Sequence, residues 1–456
     1  MTVRTAEATR TSDAPQRGGA ADDGGALIVL IVCDDPIAGS SRHALAELDE
    51  VVLGRATATR ATREARRLAL GVPDARMSQH HARLVRELAR WVIEDAGSKN
   101  GVVVNGTRHQ RAVLADGDVL LLGQTFLLFR AAGGAHGPLD RDRASVAAPV
   151  AGLATFVPSL AAAFDDLAVV ARTGAAILIS GETGTGKELV ARAVHAFAER
   201  TGTFVAVNCG ALPETLAESE LFGYRKGAFS GALHDRLGLV RSAHRGTLFL
   251  DEIGDLAVGS QAALLRVLQE REVVAVGTSE PVAVDLQVVA ATHHDLDVAI
   301  ADGRFRRDLH ARLAAFTLRL PALRDRLDDF GLLIGELLAR LPGGPFRFTA
   351  EAVAAMLDHD WPSNIRELAA CLVVATALAR GEPVRREHLP EAVRGGAAAR
   401  DRAPREAGDA RRAELEALLT EHAGNVSAVA RAARRSRVQI HRLLRQLGID
   451  AERFRR

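Results

Sequence analysis

The chain has 456 residues, of which 48% are hydrophobic and 25% charged, and its net charge is +1. That length accommodates about three domains of ordinary size, each able to bury its own core, and so small a net charge excludes neither nucleic acid nor protein as a partner. No apolar run approaches the roughly 18–20 residues of a membrane span, the first 25 residues hold no signal-like apolar stretch, and the three widely spaced cysteines, Cys33, Cys209 and Cys371, fit a reducing compartment better than a disulfide framework, so a cytoplasmic protein is expected.

Only three of the 58 basic residues are lysines, Lys99, Lys187 and Lys226. Where nearly every cation is an arginine, arginine clusters are background and a retained lysine carries more information. Residues 1–25 are polar, rich in Ala and Gly and without periodicity, the composition of a disordered tail. Over residues 26–130, short apolar runs such as 27–32 and 119–129 are separated by Gly, Asn and Asp turns, which predicts an all-β sandwich. A Gly/Ala/Pro stretch over 131–150 reads as a linker. Over 151–394, helical patterns alternate with short β-branched runs at 176–181, 203–209, 247–252 and 286–292. These are the marks of central parallel strands in an α/β sheet covered by helices on both faces. A helical lid is expected from about residue 321, a second linker over 395–410, and a compact all-α domain over 411–456.

Gly181-Glu182-Thr183-Gly184-Thr185-Gly186-Lys187 follows directly on a strand and opens a helical pattern, the context of a phosphate-binding P-loop. The glycines let backbone N–H groups converge on phosphates, and Lys187 supplies a point charge for the β/γ oxygens. Glu188 stands where the general motif has Ser or Thr on Mg²⁺. Further on, a buried strand ends in Asp251-Glu252. Asp251 is suited to holding Mg²⁺ through its waters, and Glu252 to orienting an attacking water. The hexapeptide Gly227-Ala228-Phe229-Ser230-Gly231-Ala232 would pack poorly in a core and reads as a mobile loop presenting one apolar knob.

These stretches resemble the bacterial activators that work with sigma-54, a family of AAA+ ATPases. The hexapeptide resembles that family's GAFTGA loop, and residues 181–188 its usual GETGTGKE. Residues 303–313 resemble GRFREDLYYRL, and residues 361–368 resemble WPGNVREL. The resemblance implies ATP and Mg²⁺ as cofactors, residues 227–232 as the contact with sigma-54, and a hexameric ring with ATP between subunits. It also implies that Arg306 and Arg312 act on the neighbouring subunit's γ-phosphate, that Arg366 is the lid's nucleotide sensor, and that Asn208 restrains Glu252. Two positions depart from the pattern. Ser230 replaces the usual threonine, keeping the hydroxyl, and Thr292-His293-His294 stands where the family has Thr-Asn. Either His293 replaces that asparagine as a hydrogen-bonding sensor, or nucleotide sensing is altered.

The β region holds Gly54-Arg55, Ser78-Gln79-His80-His81 and, over 95–101, DAGSKNG. It resembles the forkhead-associated (FHA) domain, a sandwich that binds phosphothreonine peptides through its loops. By position, Arg55 and Ser78 would hold the phosphate and Asn100 the peptide backbone. Gln79 and Lys99 would face the ligand, and His81 would brace the site from inside. An arginine fork suits a phosphate because it is bidentate and always charged. At the other end, residues 436–449 resemble the recognition helix of a Fis-type helix-turn-helix. Ser436, Arg437, Gln439, His441 and Arg442 are its candidate DNA contacts, while Ile440, Leu444 and Leu447 share the opposite face. Residues 411–456 carry 11 arginines against 5 acids, a balance suited to a phosphate backbone.

The expected protein is therefore multidomain, with an FHA sandwich, an AAA+ P-loop ATPase with helical lid, and a helix-turn-helix. Its expected partners are sigma-54 RNA polymerase, double-stranded DNA, a phosphothreonine protein and further copies of itself. The alternative is a DNA-binding regulator or phosphopeptide adaptor whose AAA+ domain no longer remodels sigma-54.

Overall fold

The computed structural model describes residues 25–131 apart from 38 and 89, residues 140–146 and 152–395, and a few isolated positions beyond. The chain divides into two compact units near residue 166. The candidate DNA contacts Ser436, Arg437, Gln439, His441 and Arg442 lie outside the described residues, as does most of the expected second linker.

The first unit is a β sandwich of one seven-stranded and one six-stranded sheet. Its strand Ala26–Val32 is buried at every position and lies between Thr125–Arg130 and Ser41–Ala44 in the sheet. That burial is why the strand reads as a continuous apolar run rather than an alternation. Between the sheets pack Leu53, Leu70, Leu84, Trp91, Leu120 and Leu127. Each such side chain contributes about 1.5–3 kcal/mol by leaving water. One connection is unusual for a sandwich, since Glu50–Arg55 pairs in parallel with Arg67–Val72. This brings Arg55 to the sheet's end, where the loops carrying Ser78 and Lys99 gather. Inside the expected first linker, Asp140–Asp142 forms a short strand paired with Ser41–Ala44. Side chains attach it: Asp140 accepts from Arg63 Nε at 2.7 Å and lies 2.7 Å from His43 Nδ1.

The second unit holds a five-stranded parallel sheet in the order Phe204–Asn208, Thr247–Asp251, Gln287–Thr292, Ile177–Ser180, Phe316–Arg319. Four of its strands are those expected from sequence: the three inner ones and Phe204–Asn208 at one edge. The fifth, Phe316–Arg319, is an edge strand with only Leu318 buried, so it lacks the apolar run that marks a central strand. Leu178, Leu248, Leu250, Val288 and Leu264 of the helix Val258–Glu270 form the core on one face. Two small hairpins, pairing Gly223–Tyr224 with Arg236–Leu237 and Glu272–Val274 with Pro281–Ala283, stand out from this body. Beyond residue 320 no further strand occurs among the described residues, and the helices Phe330–Ala339, Ala350–Asp358 and Asn364–Ala379 form the lid. Among the described residues no helix is long and apolar enough to cross a membrane.

Candidate functional site

The carboxyl ends of the central strands and the start of the helix Lys187–Phe197 form one cleft of about 420 Å³, lined by Gly186, Lys187, Asp251, Glu252, Ile365 and Arg366 among others. Ligands bind where parallel strands end and helix N–H groups converge. Gly184 and Gly186 have φ of +80° and +104°, a region that favours glycine, and a Cβ at Gly184 would run into the Ser363 carbonyl. Thr185 Oγ1 donates to the Glu182 carbonyl at 2.8 Å, closing the loop on itself. Lys187 is 7% exposed, and its Nζ donates to the Gly181 carbonyl at 3.0 Å and stands 3.6 Å from Glu252 Oε1. The Thr183 carbonyl accepts from Asn364 Nδ2 at 3.0 Å, and the Gly184 carbonyl from the Ile365 N–H at 3.0 Å.

Glu182 and Glu188, in the stretch 181–188 expected to bind the nucleotide, have side chains engaged elsewhere. Glu188 pairs with Arg192 one turn along its helix. Glu182 takes both guanidinium nitrogens of Arg324, at 2.9 and 2.5 Å, and Asn364 Nδ2 at 3.2 Å. The Arg324 hydrogen bond, then Asn364, pulls its carboxyl down to about 2. The P-loop is thus tied to the lid through Asn364 of the 361–368 motif and through Arg324, which no motif singles out.

Asp251 and Glu252 are neighbours with opposite electrostatic fates. Burial, then the adjacent Glu252 charge, pushes the Asp251 carboxyl up, against the pull of Lys187. Burial pushes Glu252 up as well, but the His293 hydrogen bond and Lys187 outweigh it and the net shift is down. Glu252 has φ 52° and ψ 51°, a left-handed conformation that costs a non-glycine residue on the order of 1–3 kcal/mol and is common at functional sites. The expectation that Asn208 restrains Glu252 is not met in this arrangement. Asn208 Oδ1 accepts the Ala211 N–H at 3.2 Å, capping the turn Cys209–Ala211. Glu252 Oε2 is instead held by His293, whose Nδ1 lies 2.6 Å away and whose N–H donates at 3.1 Å.

Arg306 and Arg312 sit at the start and end of the segment around the helix Arg307–Leu313, both exposed. The Arg306 guanidinium rests on Asp308 at 2.7 and 3.0 Å. Neither arginine lines its own chain's cleft. Gln261, buried on the helix Val258–Glu270, accepts the Arg306 N–H at 2.9 Å and donates to the Arg304 carbonyl at 3.0 Å, so it fixes the backbone from which Arg306 departs. Its one sequence signal is an amide on an otherwise apolar helix face.

Gly227–Ala232 forms the tip of the first hairpin. The Gly227 N–H donates to the Ala232 carbonyl at 2.9 Å, and Ala232 N–H to Phe229 at 3.0 Å. Gly227 and Gly231 have φ of +87° and +110° with open space where a Cβ would stand, so backbone shape rather than crowding requires glycine. Phe229 is 42% exposed and meets the Tyr224 ring edge-on, centroids 5.0 Å apart, while Ala232 is buried. Ser230 is exposed. At the base, Lys226 N–H donates to Asp235 Oδ1 at 2.8 Å and Arg225 pairs with the same carboxylate. Sequence reading missed the support from the second hairpin: Arg225 N–H donates to Val276 at 3.0 Å, and bare Gly277 makes room for Ala228.

In the sandwich, Arg55 at its strand's end and the two loops carrying Ser78, Gln79, Lys99 and Asn100 bond to each other. The Arg55 N–H donates to the Ser78 carbonyl at 3.0 Å, Lys99 N–H to Ser78 Oγ at 3.2 Å, and Asn100 Nδ2 to the Arg76 carbonyl at 2.6 Å. His81 is fully buried, with Nδ1 accepting the Ser78 N–H at 3.0 Å and Nε2 3.0 Å from the Gly101 carbonyl. A Cβ on Gly54 would strike the Gln79 carbonyl. The side chains of Arg55, Gln79, Lys99 and Asn100 are exposed at this end.

The Sigma-54 interaction domain family matches residues 154–319, the FHA domain family residues 51–123, and the AAA+ ATPase lid domain family residues 324–406. The chain is 41% identical over 318 residues to NorR, an anaerobic nitric oxide reductase transcription regulator of Aeromonas hydrophila, covering 64% of this chain and 63% of NorR. It therefore spans less than two thirds of that relative. It is 38% identical over 308 residues to GlrR, a transcriptional regulatory protein of Escherichia coli, covering 66% of this chain and 69% of GlrR. A crystal structure of NtrX from Brucella abortus in complex with ATP is 31% identical with a TM-score of 0.48, covering 65% of this chain and 69% of that one. With a Sigma-54 interaction domain built on an AAA+ ATPase core and the extent of its likeness to GlrR, the chain belongs to the family of sigma-54-dependent transcriptional activators.

Proposed function

We propose that this protein binds and hydrolyses ATP and uses the reaction to convert a closed sigma-54 RNA polymerase complex into an open one. The observation that carries this is the joint presence of Lys187, Asp251 and Glu252 in one cleft, in a unit that also displays Phe229 on a glycine-flanked hairpin tip. Lys187 would transfer from the Gly181 carbonyl to the β/γ-phosphate oxygens, and the N–H groups of residues 184–188 would cradle them. Among the described residues no group of three or more His, Cys, Asp or Glu side chains could hold a metal alone. The half-buried Asp251 beside the phosphate cradle nonetheless fits a Mg²⁺ shared with the nucleotide, and would hold it through water. Bound there, the ion would neutralise charge developing on the transferred phosphoryl group. Glu252 would orient the attacking water, Arg366 would follow the nucleotide from the lid, and Arg306 and Arg312 would complete a neighbouring subunit's site in a ring.

In the same reading, residues 411–456 bind DNA upstream of the promoter, and the loops around Arg55 and Ser78 bind a phosphothreonine made by a Ser/Thr kinase, so that phosphorylation controls assembly or hydrolysis. A cytoplasmic site of action follows. Purified protein is expected to hydrolyse ATP and to form open complexes at a sigma-54 promoter. Phe229→Ala should abolish opening while keeping most ATPase activity, because the side chain lies outside the cleft. Wild-type protein that hydrolyses ATP yet never supports opening would favour a DNA-binding regulator that has left sigma-54.

A further inference from the structure

Two histidines just past the strand Gln287–Thr292 play no part in the mechanism above, yet they grip the turn that follows Asp251 at both ends. His293 holds Glu252 Oε2 through Nδ1 at 2.6 Å and through its backbone N–H at 3.1 Å. His294 Nε2 lies 3.0 Å from Asp255 Oδ1, at the far end of the short turn Ile253–Asp255, and its N–H donates to Thr292 Oγ1 at 3.0 Å. The two rings pack on each other, centroids 3.9 Å apart. The missing Cβ of Gly254 lets the His294 ring pack closely against the turn. Asn208 engages the Ala211 N–H through Oδ1, and the hydrogen bonds to Glu252 Oε2 come from His293 instead.

We propose that His293, braced by His294, is the positioning residue of Glu252 in this chain. The inference rests on Glu252 being the group that orients water. A carboxylate free to rotate presents either oxygen in many directions, and fixing one oxygen aims the other. Here Oε2 is fixed and Oε1 faces Lys187 at 3.6 Å. When Lys187 moves to the phosphates, Oε1 is the oxygen released toward the nucleophile, already oriented. The hold needs only an N–H at Nδ1, which one neutral tautomer and the cation both supply. His294 and Asp255 keep the ring from swinging away.

The test compares full-length His293→Leu, His293→Asn and His294→Ala in steady-state ATPase assays over a range of ATP concentrations, with melting temperatures alongside. His293→Leu should lower kcat by at least about tenfold, the scale of a lost hydrogen bond to a charged group, with KM within about twofold. Asn carries an N–H close to where His carries Nδ1–H, so His293→Asn should recover most of the loss, which a purely packing role would not predict. His294→Ala should fall between the two in kcat. The proposal is overturned if His293→Leu hydrolyses ATP as fast as wild type or faster, if its defect lies in KM, or if Asn is no better than Leu. A wild-type protein without ATPase activity would instead overturn the reading of Glu252 on which the proposal stands.

Discussion

At the scale of single residues, the groups with the plainest sequence signatures meet in space because their backbones are fixed by secondary structure. Lys187 opens a helix and Asp251 ends a strand, so both are delivered to the same sheet edge wherever their side chains rotate. Asn208 also ends a strand, and its Oδ1 accepts the Ala211 N–H to cap the turn that follows. Glu182 shows how electrostatics adds a function to a motif position. Its carboxyl is lowered from 4.5 to about 2 by Arg324 and Asn364, so the tether to the lid is fully present above pH 4.5 and is lost as pH falls through that range toward 2. Glu182→Gln should melt at a lower temperature than wild type at neutral pH, and the gap should close in that acid window. A pH-independent gap in scanning calorimetry would assign the difference to packing. In the sandwich, Arg55 is an exposed cation on a rigid strand end, and Arg55→Ala should weaken phosphothreonine-peptide binding at least about tenfold by calorimetry, as expected for a lost charge-assisted contact to phosphate. Equal affinities would remove Arg55 from the site.

At the scale of elements, Gly277 links the two hairpins. Its φ is +85°, and a Cβ there would press on Ala228 next to Phe229. Gly277→Val should therefore displace the Phe229 tip and lower promoter opening several-fold, while ATPase activity stays near wild type because neither hairpin lines the nucleotide cleft. Equal opening by the two proteins would show that the second hairpin does not set the tip's position. The same pair of elements marks the limit of what was legible beforehand. The central strands were readable because burial on both faces demands apolar, β-branched runs. The glycine-flanked hexapeptide was readable because no core would select it. The second hairpin and the edge strand Phe316–Arg319 carry mixed, half-exposed residues, and what holds them is pairing with distant segments that no local pattern records. The strand Asp140–Asp142 escaped for the same reason: its attachment is an ion-pair network with Arg63 and His43, nearly a hundred residues away in the latter case.

At the scale of the whole molecule, the placement of Arg306 and Arg312 decides whether one chain can be a complete enzyme. Both are exposed, neither lines its own cleft, and the buried amide of Gln261 holds Arg306 at a fixed exit point. If these arginines complete a neighbouring site, two inactive variants should rescue each other. Lys187→Ala lacks a working cleft but still presents its arginines, whereas Arg312→Ala keeps the cleft and lacks an arginine to offer. In mixed rings, some interfaces join an intact cleft to an intact arginine, and ATP hydrolysis should rise well above the sum of the separate proteins, with a maximum near equal mixing. On that reading specific activity should climb with protein concentration for wild type, since an isolated subunit would lack the arginine charge needed for phosphoryl transfer. Mixtures no more active than their parts, together with a rate per subunit independent of concentration, would place the arginines outside catalysis and make each subunit an independent ATPase.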